Sequence, residues 1–381
     1  MTQSFRNMLY LMGDNSNHIT TDLDIEQIRK YSVSQGVWTI VFPELEKHAD
    51  LNHYLNEFMR TVSMSIQRNL FQLQTISELN NAGYKACLLK GAAVALAYTD
   101  PACRISGDTD ILIKPEQEQD IIMFLKERGY TVKPRNKNDH HFQAYHPVGG
   151  VLEGHVRLYS ILAEEILFDR LQLYSEEWVT EEIGGYTIPI LGLNDGLMFL
   201  TAHYIKHFVN KGGGVRQMMD LLLYIERYKD KLDFERYSSL LKQLKYDKLV
   251  DIIKTIGAKY WGLDYPIKYE DLAEEVLDDC EAGGIFGYDT KDRMGFYSLY
   301  CEHRTQKVKA RYLRAFKEER SLLSRLFPTR KKLIKEGFIR ADKAILYPYF
   351  LIKHFWRRIH SVDKKKIHAR LDLIKRLDMI N

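Results

Sequence analysis

The apolar pattern changes character between residues 82 and 192, and this change constrains the fold more than any other feature of the sequence. Short apolar runs of strand length alternate there with helical segments, and Gly83, Gly107 and Gly129 separate them. We predict strands at 84–89, 111–113, 141–146 and 151–158, and helices at 92–98 and 115–128. The last two strands flank Pro-Val-Gly-Gly and predict a hairpin. The order of these elements predicts a small mixed α/β unit.

Helical patterns lie on both sides of this unit. Apolar residues recur at three- and four-residue spacing from residue 22 to about residue 81, and further helices are predicted at about 194–209 and at 215–228, separated by the glycines at 212–214. A chain of 381 residues exceeds the roughly 250 to 300 residues of a single core. We therefore predict an α+β fold with four regions: an N-terminal helical layer at 1–82, a core with a small mixed β-sheet at 83–192, a large helical region at 193–325 and a basic helical tail at 326–381.

Charge is distributed unevenly along the chain. Residues 301–381 carry 23 Lys and Arg against 8 Asp and Glu, a net charge of +15, whereas residues 1–300 carry 32 against 43, a net charge of −11. Aromatic residues are interspersed among the basic ones in the tail, for example Phe355 and Trp356 next to Arg357 and Arg358. Three interpretations of the tail stay open: the solvated face of packed helices, a nucleic-acid surface, and a contact with a membrane surface or another anionic polymer.

Several features of the sequence favour a cytoplasmic protein. Residues 1–16 lack a basic stretch followed by an apolar one, so we expect no secretory signal. No apolar run reaches the roughly 18 residues that span a bilayer. The four cysteines lack C-x-x-C spacing, which argues against a zinc site and a dense disulfide framework.

Two carboxylates, Asp108 and Asp110, lie at strand spacing before the apolar run at 111–113. Alternate residues of a strand point to the same face, so the two side chains would lie side by side. Adjacent carboxylates raise each other's pKa unless a cation lies between them, and a hard divalent ion such as Mg²⁺ would relieve the repulsion. This spacing is what metal-dependent phosphoryl or nucleotidyl transfer requires. A surface Asp pair at a strand end is the alternative interpretation.

Glu153 supplies a third carboxylate, in the second strand of the predicted hairpin. It shares a strand face with Val151 and His155, and its burial without a partner would be costly. A third carboxylate on a neighbouring strand would complete a two-metal site. The alternative is the solvated face of an edge strand.

Taken together, these segments resemble the DNA polymerase β-like nucleotidyltransferase superfamily, and within it the poorly characterised bacterial "nucleotidyltransferase family protein" branch. The resemblance covers about residues 84–225. It is carried by three motifs: Leu89-Lys90-Gly91-Ala92-Ala93, Arg104 followed by Gly107-Asp108-Thr109-Asp110, and Glu153-Gly154-His155.

The resemblance implies that Asp108, Asp110 and Glu153 are catalytic and bind Mg²⁺ or Mn²⁺. It also implies that an NTP is bound by a second set of residues: Lys90, Gly91, Arg104, Gly107, His155, His207 and Asp220. Gly91 would let a helix N-terminus approach the phosphates. The better-known members have Gly-Ser after the first strand, whereas Ala92 follows Gly91 here. Phosphate contact would then come from the backbone and from Lys90 or Arg104. Lys90 could instead be a strand-end lysine whose stem lies along apolar surface.

His203 and His207 share one face of a predicted helix. Tyr204 stands where a zinc protease of the H-E-x-x-H type has its general base, which disfavours that activity. With Arg216 and Asp220, these histidines either contact the nucleotide or acceptor or form a buried polar network, and both interpretations stay open.

The resulting hypothesis is an enzyme that moves a nucleoside monophosphate from an NTP to a hydroxyl or phosphate acceptor, with Glu153 or His155 taking the acceptor's proton. We expect a small molecule, a glycan intermediate or a peptide as acceptor rather than nucleic acid, because the body of the chain is acidic. The basic tail would contact an anionic surface, including the periphery of the membrane. The alternative is a non-catalytic nucleotide-binding scaffold on a decayed transferase fold, with the tail as its docking surface.

Overall fold

The computed structural model describes residues 1–13, 15–136, 139–158, 177–285, 348–349 and 364–379. Four helices form the N-terminal region: α1 (Gln3–Leu11), α2 (Ile25–Ser34), α3 (Trp38–Leu45) and α4 (Asn52–Asn81). The side chain of Thr2 accepts a hydrogen bond from the backbone N–H of Phe5, and that of Asp24 from Gln27, so α1 and α2 begin at conventional N-caps.

Helix α4 ends at the stop that the sequence predicts, but its apolar stripe is buried only towards the C-terminus. Leu73 and Ile76 are buried, whereas Ile66 and Leu70 are exposed. The C-terminal part of the helix packs on the sheet and shares its core with the sheet strands. The periodicity therefore identifies the helix correctly without showing which turns are covered.

A seven-stranded mixed sheet follows in the described part of the chain. Its spatial order is β3 (Thr131–Lys133), β4 (His141–His146), β5 (Gly150–His155), β2 (Asp108–Ile113), β1 (Ala86–Leu88), β7 (Tyr186–Ile190) and β6 (Val179–Ile183). Strand β2 is parallel to β5 and antiparallel to β1, and β4 and β5 form the predicted antiparallel hairpin. Among the residues that the structure describes between β1 and β7, two α-helices interrupt the strands: the four-residue α5 (Ala92–Ala95) and α6 (Glu118–Glu127).

Helices return after the sheet. The described ones are α7 (Leu193–Lys211), α8 (Val215–Tyr228), α9 (Phe234–Leu244), α10 (Asp247–Trp261), α11 (Glu270–Gly283) and α12 (Lys364–Arg376). They share one hydrophobic core with α1 to α3. None of the described helices combines the length and apolarity that a bilayer span requires.

The predicted α+β fold is confirmed, with corrections to individual elements. Strands β3, β6 and β7 and helix α1 were not predicted, and the predicted helix at 92–98 shortens to α5. Strands β3 and β6 lie at the two edges of the sheet and are largely exposed, so they lack the apolar pattern by which buried strands are recognised. The division into four regions stays a prediction, and most of the basic tail lies outside the described residues.

Candidate active site

Strands β2 and β5 bring the predicted carboxylates together. In their parallel register Asp110 lies directly opposite Glu153, and Asp108 precedes Asp110 by two residues on the same face. His155 lies two residues beyond Glu153, so it shares that face as well. A ladder between two adjacent strands therefore assembles residues that are 45 positions apart in the sequence.

Asp110 is the most deeply buried of the three carboxylates, with 4% of its surface exposed. Its Oδ1 lies 2.9 Å from His155 Nε2, and its Oδ2 lies 3.1 Å from the Lys90 ammonium. Burial alone would raise the pKa of Asp110, but Lys90 and the His155 hydrogen bond outweigh burial and hold this pKa well below its usual range. Asp110 is therefore ionised at neutral pH.

Asp108 differs from Asp110 although it lies on the same strand. Its side chain is 43% exposed, and its Oδ1 lies 3.7 Å from Lys90 Nζ. Burial of part of the carboxylate raises the pKa of Asp108, against the attraction of Lys90. The cation that the sequence pattern demands between the two carboxylates is thus present in the chain itself, as the Lys90 ammonium.

Glu153 and His155 complete the carboxylate cluster. Gln143 Nε2 donates a 2.8 Å hydrogen bond to Glu153 Oε1, and His155 Nε2 lies 3.7 Å from Glu153 Oε2. Burial opposes ionisation of Glu153, but the contacts with His155 and Gln143 prevail and lower its pKa. Burial likewise opposes protonation of His155, but Asp110 and Glu153 raise its pKa, so the imidazole tends to hold its proton between them.

The donor atoms of Asp110, Glu153 and His155 lie within 4.8 Å of one another and could hold a metal ion. The buried Oδ2 of Asp110 accepts no hydrogen bond from the described residues, and its contact with Lys90 is an ion pair without hydrogen-bond alignment. Two carboxylates, one with a buried oxygen that accepts no aligned hydrogen bond, offer the oxygen ligands that a hard divalent cation prefers. Asp108 lies outside this group and is the more exposed neighbour.

The turn after β1 carries Lys90 and Gly91. Gly91 has a φ of 73°, a conformation that glycine adopts far more readily than other residues. A Cβ on this residue would lie 3.2 Å from the Ser106 hydroxyl. Gly107 is not in the left-handed region, and a Cβ there would meet open space. The helix that follows Gly91 is only four residues long, which limits the helix dipole that was expected to face a phosphate.

Arg104 and Asp220 form a buried ion pair. Arg104 Nε donates to Asp220 Oδ1 at 3.0 Å, Nη2 donates to Oδ2 at 2.7 Å, and the Tyr98 hydroxyl donates to the same carboxylate at 2.8 Å. Against the effect of burial, Asp220 raises the pKa of Arg104 and Arg104 lowers that of Asp220. These contacts match the buried-network interpretation and join the loop before β2 to α8.

His203 and His207 lie on α7, one turn apart, with ring centroids separated by 4.5 Å. Phe199 on the same helix packs on the face of the sheet that carries Cys87 and Leu89. Burial lowers the pKa of His203 well below its usual range, and Lys90 and His155 contribute to the shift. Helix α7 therefore lies over the side of the sheet that bears the carboxylates.

Sequence reasoning missed His140 and His141. His141 is paired with His155 across the hairpin, and His140 immediately precedes β4. Burial and the neighbouring His155 lower the pKa of His140 to about 3. The predicted hairpin could have revealed them, because it places the start of the strand at 141–146 next to the end of the following strand, where His155 lies.

One of the comparisons with known proteins identifies a family for this chain. The family described as an uncharacterised nucleotidyltransferase matches residues 21–261. A solved structure, that of an antigenic nucleotidyltransferase-like protein from Paracoccidioides brasiliensis, is 16% identical, covers 45% of this chain and 87% of its own, and has a TM-score of 0.29, too low to support a structural argument. No curated protein matches the chain significantly. Because the family match spans more than half of the sequence, the chain belongs to this uncharacterised nucleotidyltransferase family.

Proposed function

We propose that the protein is a metal-dependent nucleotidyltransferase that moves a nucleoside monophosphate from an NTP to a hydroxyl or phosphate acceptor. The observation that carries the proposal is the β2–β5 register, which puts Asp110 opposite Glu153 with Asp108 on the same face. Membership of a nucleotidyltransferase family supports the reaction class. The acceptor oxygen would bond to the α-phosphorus, the bond to the leaving pyrophosphate would break, and the acceptor's proton would pass to a base.

Asp108, Asp110 and Glu153 would hold Mg²⁺ or Mn²⁺. A bound divalent ion would supply Lewis-acid stabilisation of the charge that develops on the phosphate oxygens. Lys90, now 3.1 Å from Asp110, provides a cation next to the same carboxylates and would turn towards the phosphates of a bound NTP.

Of the two groups nominated as the base, Glu153 is better supported than His155. Asp110 and Glu153 raise the pKa of His155, which disfavours the neutral imidazole that a base requires, whereas the lowered pKa of Glu153 favours the carboxylate that can accept a proton. His155 would instead orient Asp110, to which it is hydrogen-bonded at 2.9 Å.

A second candidate, a non-catalytic nucleotide-binding scaffold, is favoured by the position of Lys90. The ammonium lies within 3.7 Å of Asp108 and 3.1 Å of Asp110 and offsets part of their charge without a metal. In a scaffold this arrangement would be permanent. In an enzyme, Lys90 would leave the carboxylates when metal and NTP enter together.

The test measures pyrophosphate release and transfer of α-³²P label from each NTP to candidate acceptors, with Mg²⁺ or Mn²⁺ present. Asp110→Asn and Glu153→Gln keep the side-chain shapes and should lower the rate at least about 100-fold, the usual scale for lost transition-state stabilisation. Asp120→Asn, an exposed carboxylate in α6, serves as the matched control and should keep the wild-type rate. Equal rates in wild type and Asp110→Asn would refute the catalytic assignment. NTP binding that survives both substitutions, without pyrophosphate release, would favour the scaffold.

We also propose a cytoplasmic location and a small-molecule, glycan-intermediate or peptide acceptor. Part of the basic tail is already paired within the protein: Arg370 on α12 forms a buried ion pair with Asp279 of α11, and Arg376 pairs with Glu275. These contacts support the interpretation of this part of the tail as a packed helix and leave fewer of its charges for a polyanionic acceptor.

A further inference from the structure

Three histidines meet at one end of the β4–β5 hairpin. His141 is the first residue of β4 and pairs with His155, the last residue of β5. The backbone N–H of Val156 donates a 2.9 Å hydrogen bond to the carbonyl of His140, which fixes the residue before β4 as well. The backbone of a single hairpin therefore positions all three imidazoles.

The ring nitrogens are spaced as ligands of one ion would be. One nitrogen from each ring lies within 4.8 Å of the others, and His141 Nδ1 and His140 Nε2 are joined by a 3.2 Å hydrogen bond that an ion would replace. Tetrahedral Zn²⁺ with Zn–N bonds of about 2.0–2.1 Å separates two nitrogens by about 3.3 Å. The His155 ring centroid is 5.1 Å from that of each of the other two rings. Small side-chain rotations would bring the three nitrogens onto one ion.

The contacts of His155 provide a second, independent indication. Its Nε2 is engaged with Asp110 Oδ1, whereas its Nδ1 is buried and has no hydrogen-bond partner among the described residues. Histidines that bind metals usually donate the N–H of one ring nitrogen to a carboxylate and bind the ion with the other nitrogen. Asp110 is in the position of that carboxylate, and Nδ1, which must give up any proton it carries when the ion binds, is the nitrogen left for the metal.

We propose that His140, His141 and His155 form a site for one Zn²⁺ ion, with a fourth position open to water or substrate. Imidazole nitrogens suit Zn²⁺, whereas Mg²⁺ prefers oxygen ligands. Cysteine spacing gave no sign of this site, because its ligands are all histidines. The site shares only His155 with the group of Asp110, Glu153 and His155, and its occupation does not depend on nucleotidyl transfer.

The test titrates Zn²⁺ into the metal-free full-length protein against a competing chelator, with native mass spectrometry to count bound ions. We expect one tightly bound zinc per chain that millimolar Mg²⁺ does not displace. His140→Gln and His141→Gln should each weaken zinc binding at least about tenfold, because loss of even an outer-shell partner costs 10- to 100-fold. His53→Gln, an exposed histidine on α4, is the matched control and should bind zinc like wild type.

His140 and His141 are both only partly buried, so two separate ligand variants test the same site, and the thermal midpoints of the metal-free proteins check that each is folded. Equal zinc affinity in wild type and in both folded variants would overturn the proposal, as would the absence of zinc binding by the wild type. Loss of affinity in Glu153→Gln but in neither His140→Gln nor His141→Gln would place the ion in the carboxylate group instead, and would also overturn it.

Discussion

A variant that breaks the ion pair between Arg104 and Asp220 distinguishes two roles for these residues: stabilising the fold or binding nucleotide. Both side chains are 6% exposed and are joined by two hydrogen bonds of 3.0 and 2.7 Å, so Asp220→Asn leaves a buried guanidinium without its counter-charge. Breaking such a pair costs about 3–5 kcal/mol. At about 2–4 °C per kcal/mol for a cooperative unit of 150–250 residues, the melting temperature should fall by about 6–20 °C.

The assay is thermal unfolding followed by circular dichroism at 222 nm. Asp230→Asn replaces an exposed carboxylate just after α8 and should leave the melting temperature nearly unchanged. Arg104→Met should also destabilise the protein, because it leaves Asp220 with only part of its compensation. The double variant Arg104→Met/Asp220→Asn should lose less stability than the sum of the two single losses, because neither charge is then left without the other.

A decrease of less than about 2 °C for Asp220→Asn would refute the assignment of a structural ion pair. If the same variant weakened NTP binding while the melting temperature stayed constant, Asp220 would be a nucleotide ligand, as the sequence resemblance implied. A large loss of stability with NTP affinity unchanged in the folded fraction would establish the buried network.

Two further predictions concern the turn after β1. Gly91→Ala should destabilise the protein by about 1–3 kcal/mol, because φ is 73° at this position. The control Gly107→Ala should cost little, because a Cβ there would meet open space. Equal melting temperatures for the two variants would contradict this prediction. Asp110 has a depressed pKa, so its contribution to stability is present above the usual Asp pKa and is lost as the pH falls through the folded-state pKa. Lys90→Met should raise the folded-state pKa of Asp110, so acid unfolding should begin at a higher pH than in wild type. The exposed-site control Lys85→Met should unfold like wild type. An unchanged pH midpoint of acid unfolding in Lys90→Met would contradict the role given to Lys90.

Several elements were predictable because their signals are local. Helix α8 begins and ends where the sequence predicts, since the glycines at 212–214 interrupt the pattern before it. The hairpin followed from two alternating runs around a short turn. Strand β6, in contrast, contains Thr180, Glu181 and Glu182 and lies at an exposed edge, so its residues carry no burial pattern that a reader of the sequence could detect.

Some features of the candidate site could also be predicted from the sequence, and others could not. The spacing of Asp108 and Asp110 put both on one face, because side-chain alternation is a property of any strand. That Lys90 would lie between them, and that His141 would lie next to His155, depended on which strands are neighbours in the sheet. The four-residue α5 is shorter than the helix predicted at 92–98, so the helix propensity of its alanines did not by itself set its length.

The sequence by itself determined several of the helices and strands, the family resemblance and the position of Asp108 and Asp110 on one strand face, because periodicity, turn chemistry and motif spacing act over a few residues. Only the tertiary structure decided the partners. Arg104 meets Asp220 across 116 positions, and Asp110 meets His155 across 45. Such contacts are set by strand order and helix packing, which depend on burial over the whole chain and leave no local mark in the sequence.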